Sequence, residues 1–230
     1  MKNRPEITVI IPVLGEQAVI GERIRRIREC ETGEVPEIVV VDGDPAGGTL
    51  ESIDDPDVVC LTSPRGRAVQ MNRGAERASG RIFLFLHADT DLPPGAFTMI
   101  RRAMEDVSAA AGAFDLTIRS PRPVFRIIER IASRRSRLTR IPYGDQAIFI
   151  RASCFQGIGG YRDIPIMEDV ELMRRIKRRG DRVVFLDARV STSARRWEKE
   201  GVLRCTLRNW VLISLYLLGV PAGRLARYYP

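Results

Sequence analysis

A single histidine, His87, and four scattered cysteines give this sequence almost nothing from which to build a zinc site. Cys30, Cys60, Cys154 and Cys205 share no metal-ligand spacing, and free thiols in a reducing cytosol are the expectation. Long hydrophobic runs are missing too. The longest, Trp210–Val220, falls well short of the roughly 20 residues that span a bilayer. Met1–Glu6 is polar and runs straight into a strand, the wrong shape for a secretory signal, so a cytoplasmic protein is expected. No internal repeat or low-complexity linker divides the chain. Acidic residues are outnumbered by basic ones, 29 to 37, which leaves a net charge of +8. Such a balance suits nucleic acid, an anionic membrane or a phosphorylated substrate. No recognition motif accompanies the charge, so nucleic acid is not expected as a partner.

What the sequence does contain is an alternation of strand and helix. Ile7–Ile11, Glu37–Val41, Val58–Leu61 and Ile82–Leu86 are apolar, largely β-branched runs. Between them, Glu16–Glu29 and Arg67–Ala78 carry helical periodicity, and Thr49–Ile53 is a short helix. This order predicts a parallel sheet covered on both faces, with ligands beyond the carboxyl ends of its strands. The second half predicts helices over Pro93–Val107, Pro123–Arg137, Asp169–Arg179 and Glu198–Leu218, with strands at Ala111–Ile118, Gln146–Arg151 and Val183–Leu186.

Five clusters fall at positions where chemistry is expected. Pro12–Glu16 ends the first strand, and Glu16 can accept hydrogen bonds from a ribose or a base, or simply favour a helix N-terminus. Asp42 ends the second strand and can hold a base N–H, or form an Asx-turn. Arg67 opens a helix and can meet a diphosphate, or belong to a solvated basic face. The segment His87-Ala88-Asp89-Thr90-Asp91 stops an apolar strand in an acidic turn suited to Mg²⁺ or Mn²⁺, although Asp91 can equally cap the next helix. Glu168-Asp169 begins a helix after the glycine-rich approach Gly157–Tyr161, where a carboxylate can serve as a general base.

In this order and spacing the five clusters resemble glycosyltransferase family 2, and most closely its small bacterial branch with L-H-A-D-T and G-D-Q-A segments. The likeness runs from about Ile7 to Trp197. It implies a three-layer α/β/α fold of the GT-A, Rossmann-like type with a mixed sheet, and an inverting hexosyltransferase. Pro12, Glu16, Asp42, Arg67, Ala88 and Asp89 would bind the nucleotide sugar, with a UDP-sugar preferred. Asp169 would be the catalytic base. Asp145, Gln146, Glu168, Arg196 and Trp197 would face the hydroxyl acceptor. One Mg²⁺ or Mn²⁺ would rest on Asp89, with Asp91 as a further partner. Three departures qualify this. His87 replaces the first acid of the D-x-D metal motif, Asp44 stands where relatives have serine or glycine, and Ser193 replaces the glutamine of Q-x-x-R-W. The last argues against a polymer-extending enzyme.

Residues 1–197 are expected to form the catalytic domain, and 198–230 an amphipathic helical tail within the same structural unit. Leu203, Leu207, Trp210, Val211, Leu215 and Leu218 share a helical face, with Arg204 and Arg208 between them. Such a tail fits an anionic membrane surface at the inner face of the cell membrane, a second subunit of a homo-oligomer, or the chain's own core. It favours a lipid-linked or membrane-proximal acceptor. Two rivals stand beside the transferase. One is a non-catalytic nucleotide-sugar-binding or membrane scaffold protein. The other is a nucleotidyltransferase, which lacks its G-x-G-T-R opening here.

Overall fold

Strands too apolar to expose either face must be covered on both, and β1 (Ile7–Val13) is buried along its whole length. In the computed structural model, which describes residues 5–30 and 35–229, β1 is one of eight strands in a single mixed sheet. The chain continues through α1 (Ile20–Glu29), β2 (Glu37–Asp42), β3 (Val58–Thr62), α2 (Arg67–Arg77), β4 (Ile82–Phe85), β5 (Thr90–Asp91) and α3 (Ala96–Glu105). Then follow β6 (Ala109–Arg119), α4 (Pro123–Thr139), β7 (Phe149–Arg151), α5 (Ala152–Gly157), α6 (Glu168–Arg178) and β8 (Arg182–Ser193). Helices α7 (Arg195–Glu200), α8 (Val202–Leu217) and α9 (Ala222–Leu225) complete it. The spatial order is β3-β2-β1-β4-β7-β6-β8-β5. Neighbours from β3 to β4 are parallel, β7 is antiparallel to both β4 and β6, and β8 runs parallel to β6.

Alternation along the strands divides the core into two layers. Ile7, Val9 and Ile11 pack with α1, α3 and Phe125 of α4, while Ile10, Phe83 and Phe85 pack with α2, α5 and α6. Each such buried side chain contributes about 1.5–3 kcal/mol relative to exposure. The α/β/α layering is therefore as expected. The carboxyl ends of β1, β2, β4, β6 and β8 lie along one edge, and β7 begins there.

Several boundaries differ from the expectations. Helix α1 starts at Ile20 rather than Glu16, and the turn at Thr49–Ile53 holds only a 3₁₀ turn over Leu50–Ser52. β7 starts at Phe149, because Gly144–Gln146 forms a 3₁₀ turn and Ala147 is left-handed at φ 48°. β8 extends twelve residues to Ser193, well past Leu186. Its polar end Asp187–Ser193 is held as a strand by pairing with β6 and β5, not by apolar periodicity. The expected helix Glu198–Leu218 is two helices, broken at Gly201, whose φ of 88° suits glycine alone. Helix α7 runs through the expected domain boundary after Trp197. On α8, Cys205 and Leu212 are buried, whereas Leu203, Leu207, Trp210 and Val211 lie outward and exposed. No described helix is long and apolar enough to cross a membrane.

Candidate active site

At the shared strand edge lies a cavity of about 640 Å³. Its walls come from the start of α2 (Arg67), the turn after β4 (His87, Asp89), the turn before β7 (Tyr143–Asp145), the start of α6 (Met167, Asp169) and α7 (Arg195–Trp197). Asp169, Asp89, Arg67, Asp145, Arg196 and Trp197 are thus brought together from positions as far as 130 residues apart, taking Arg67 and Trp197 as the extremes.

Asp169 is fixed by backbone. Oδ2 accepts the Gly144 N–H at 2.6 Å and Oδ1 accepts the Val170 N–H at 2.7 Å. Its place in the first turn of α6 adds the favourable end of the helix dipole. Gly144 is required by close approach. A Cβ there would meet His87 Nε2 at 2.8 Å and Asp169 Oδ2 at 3.5 Å. His87 consequently sits beside Asp169. Burial, and after it the Arg67 charge, push its imidazole down to about 4 against the opposite pull of Asp89 and Asp169, so it is neutral near pH 7. Met167 and Ala147, two non-glycine residues with positive φ, bracket this apparatus and mark locally strained backbone.

Arg67 Nε donates to Glu168 at 2.8 Å. Glu168 is only 2% exposed and does not line the cavity. Glu168, expected to face the acceptor, therefore lies behind Arg67 rather than in the cavity wall, because the first residue of α6 points into the protein. Burial holds its carboxyl above the usual range despite Arg67. Burial also works against the Arg67 charge, but Glu168, the Tyr229 phenol and Asp169 together raise its pKa above the ordinary guanidinium value. Tyr229 enters from the far end of the chain. Its hydroxyl accepts from Arg196, whose guanidinium also lies 4.2 Å from the ring centroid. Trp197 packs edge-on against Phe125, with ring centroids 6.0 Å apart.

Asp145 is the least satisfied acid of the cavity, for its Oδ1 is buried with no hydrogen-bond partner. Burial, then the neighbouring Asp169 charge, raises its carboxyl to about 6. Glu16 does not line the cavity but lies 3.7 Å from Arg195, which does, and its carboxyl is raised by burial and by Asp89 against the pull of Arg195.

Other expected residues do not reach the cavity. Asp42 is fully buried, and its two oxygens accept the Asp44 and Thr49 N–H groups at 3.0 Å each, which shapes the loop after β2. Pro12 is buried in β1. Ala88 is turned inward and its carbonyl accepts Arg23 Nε at 2.7 Å. Gln146 is 1% exposed, donating to the Phe114 carbonyl and accepting from Ser136 and the Tyr143 N–H. Asp91 likewise lies outside the cavity lining. Arg23, Arg26 and Arg119 all pair with it, so its charge is consumed inside the protein. Its partners lie on α1 and at the end of β6, far away in sequence.

These placements bear on the expected divalent cation. No three His, Cys, Asp or Glu side chains gather as a metal site among the described residues. Asp89 lines the cavity at the turn after β4, and one carboxylate there fits only an ion whose other ligands come largely from a bound molecule. Among the cavity residues that sequence reasoning missed are Gly144, Arg195, Lys199 and Tyr229. Gly144 had a signal in the G-D-Q-A segment. The last three had none beyond belonging to a basic, aromatic tail.

Comparison with known proteins agrees with this geometry. The profile of glycosyl transferase family 2 matches residues 8–159, more than half of the chain. A dolichol-phosphate mannosyltransferase of Pyrococcus furiosus is 30% identical over 112 residues, covering 46% of this chain and 32% of that protein. Among solved structures, S. aureus TarS 1-349 in complex with UDP superposes with a TM-score of 0.63 at 14% identity. The same protein in complex with UDP-GlcNAc gives 0.63 as well. The TarS alignments cover 82% of this chain and 60% and 58% of theirs, so the likeness there concerns the fold. The chain spans less than two thirds of the relatives it matches. With the family profile on most of its sheet and a GT-A-type sheet beneath one polar cavity, this chain belongs to glycosyl transferase family 2.

Proposed function

We propose that this chain is an inverting hexosyltransferase that moves a sugar from a nucleoside diphosphate, with UDP preferred, to a hydroxyl acceptor at or near a membrane surface. The observation that carries the reading is Asp169, a carboxylate held by two backbone N–H groups in the cavity that also contains Asp89, Arg67, Arg195 and Arg196. In this reading Asp169 takes the proton of the acceptor hydroxyl as its oxygen bonds to the anomeric carbon. The carbon–oxygen bond to the diphosphate breaks on the opposite side, and its electron pair leaves with the diphosphate. Arg195, Arg196 and Arg67 offset the departing charge, an electrostatic role. Glu16 would meet the nucleoside, and Asp42, Pro12 and Ala88 would shape its loop and turn from below. Asp145, with a free buried oxygen beside Asp169, would hold the acceptor hydroxyl, and Trp197 would offer it an apolar wall.

Asp89 would hold Mg²⁺ or Mn²⁺ together with the donor diphosphate. That ion would supply positive charge to the leaving group. Residues 1–197 would provide the chemistry, and the exposed face of α8 would keep the tail at the membrane. The UDP complexes of TarS support a uridine donor, and the mannosyltransferase relative supports a lipid-linked acceptor.

The test compares Asp169→Asn with Glu168→Gln at saturating donor. One positioned base contributes about 10²–10⁴-fold, so Asp169→Asn should lose that much transfer while keeping donor affinity. Glu168→Gln should chiefly weaken donor binding by loosening Arg67. A nearly wild-type Asp169→Asn would remove the proposed base. Donor binding with no turnover for any hydroxyl acceptor would favour a binding protein.

A further inference from the structure

Helix α4 has an outer face that the transfer chemistry does not use. Val124, Ile127, Ile131 and Leu138 follow one another at three-, four- and seven-residue spacing. All four face solvent, at 37%, 58%, 42% and 84% exposure. An amphipathic helix normally turns such a stripe toward a core. Here the core side is taken by Phe125, Glu129 and Ser136, so the stripe faces outward.

The charge around the stripe has one sign. The one acid of α4, Glu129, is 2% exposed and turned inward, where it accepts from the Ile118 N–H and pairs with Arg126. Arg135 and Arg137 are likewise engaged, with the Tyr143 ring and with Asp115. Among the described residues, Arg122, Arg130, Arg134 and Arg140 carry no ion pair. Arg130 and Arg134 are exposed within the helix, and Arg122 and Arg140 are exposed at its two ends.

We propose that this outer face of α4 seats the chain on an anionic lipid bilayer. The stripe would enter the headgroup boundary and the four unpaired guanidiniums would meet lipid phosphates. Charge complementarity selects this occupant. A second copy packed face to face would bring arginines against arginines, and an acidic soluble protein would leave the apolar stripe without an equivalent. An anionic bilayer satisfies both halves. The position is also informative. Phe125 packs on Trp197 near one end of α4, and near the other the Arg135 guanidinium lies 3.4 Å from the Tyr143 ring centroid. Trp197 and Tyr143 both line the cavity, so docking α4 holds the cavity wall at the lipid surface. The biological use of this contact rests on the membrane-proximal acceptor proposed above; the lipid binding itself does not.

The test is flotation of the full chain with phosphatidylcholine vesicles, with and without phosphatidylglycerol. Wild type should float with the anionic vesicles, less at high salt, and not with the neutral ones. Ile127→Asp with Ile131→Asp should abolish flotation. Arg130→Gln with Arg134→Gln, a surface change that spares the fold if the aspartates do not, should weaken it about fivefold per charge removed. Leu207→Asp with Val211→Asp on α8 separates the two helices. Retained binding in both α4 variants, with loss only in the α8 variant, overturns the proposal. So does a wild-type dimer in sedimentation that the α4 variants dissolve. Donor turnover measured without vesicles reports on the transferase reading independently, so failure of one leaves the other legible.

Discussion

Asp91 and Asp145 lie along the same sheet edge, yet one is paired with three arginines and the other has no ion pair among the described residues. The contrast extends to their regions. On the N-terminal side, Asp42 and Asp91 are consumed in building loops and joining α1 to β5. On the C-terminal side, Asp145 and Asp169 line the cavity. Asp91 gains the charge of three arginines, whereas Asp145, buried without such a counterion, carries an electrostatic cost. An acidic sequence position says little until its partners are known.

The largest effect that would sharpen this contrast is on stability. Asp91→Ala leaves Arg23, whose side chain is 8% exposed, without its main counterion. Removing one partner of a buried pair costs about 3–5 kcal/mol. For a chain of this size that lowers Tm by roughly 10 °C. Donor affinity should be unchanged. Loss of metal-dependent turnover at wild-type Tm would instead return Asp91 to the metal.

Gly144→Ala should do the reverse. The added methyl meets His87 Nε2 at 2.8 Å and displaces the turn that donates to Asp169. A misplacement on the order of 1 Å costs about 10²-fold in kcat, with little change in the melting curve. Wild-type kcat would show that the Asp169 geometry is not set by this turn.

Asp145→Asn has the smallest effect and the most telling sign. The folded chain holds the Asp145 proton up to about pH 6, against a reference value of 3.8. That protonated form stabilises the fold fully below pH ~4, and the stabilisation is lost as pH rises through ~6. The amide stays neutral throughout. The variant should match wild type near pH 4 and exceed its stability at pH 7 by ~1–3 kcal/mol, measured by urea unfolding. It should also bind the acceptor less well. Equal stability at both pH values would mean that Asp145 is solvated after all.

The N-terminal half was legible because its signal is local. Runs such as Ile38–Val41 leave few alternatives to a doubly covered strand, and the acids that follow them mark the functional edge. Asp89 was found by that logic and Asp169 as an acid opening a helix after a glycine-rich approach, and both lie in the cavity. What escaped depends on distant partners. Nothing near Asp91 announces Arg23 on α1, and nothing in Asp187–Ser193 announces a strand until β6 and β5 flank it. The burial of Gln146 escaped for the same reason, since Ser136 and Phe114 claim its amide. The fold limits of the tail turned on Gly201, one residue whose backbone angle outweighs the continuous apolar pattern around it.

The chain contains one imidazole, and it stands in the cavity wall. Any histidine resonance from the labelled protein is therefore an unambiguous readout of this site, with no assignment needed. Because His87 titrates near 4, its signal is insensitive to pH across the neutral range. A shift seen there on adding a nucleotide sugar would come from the ligand itself.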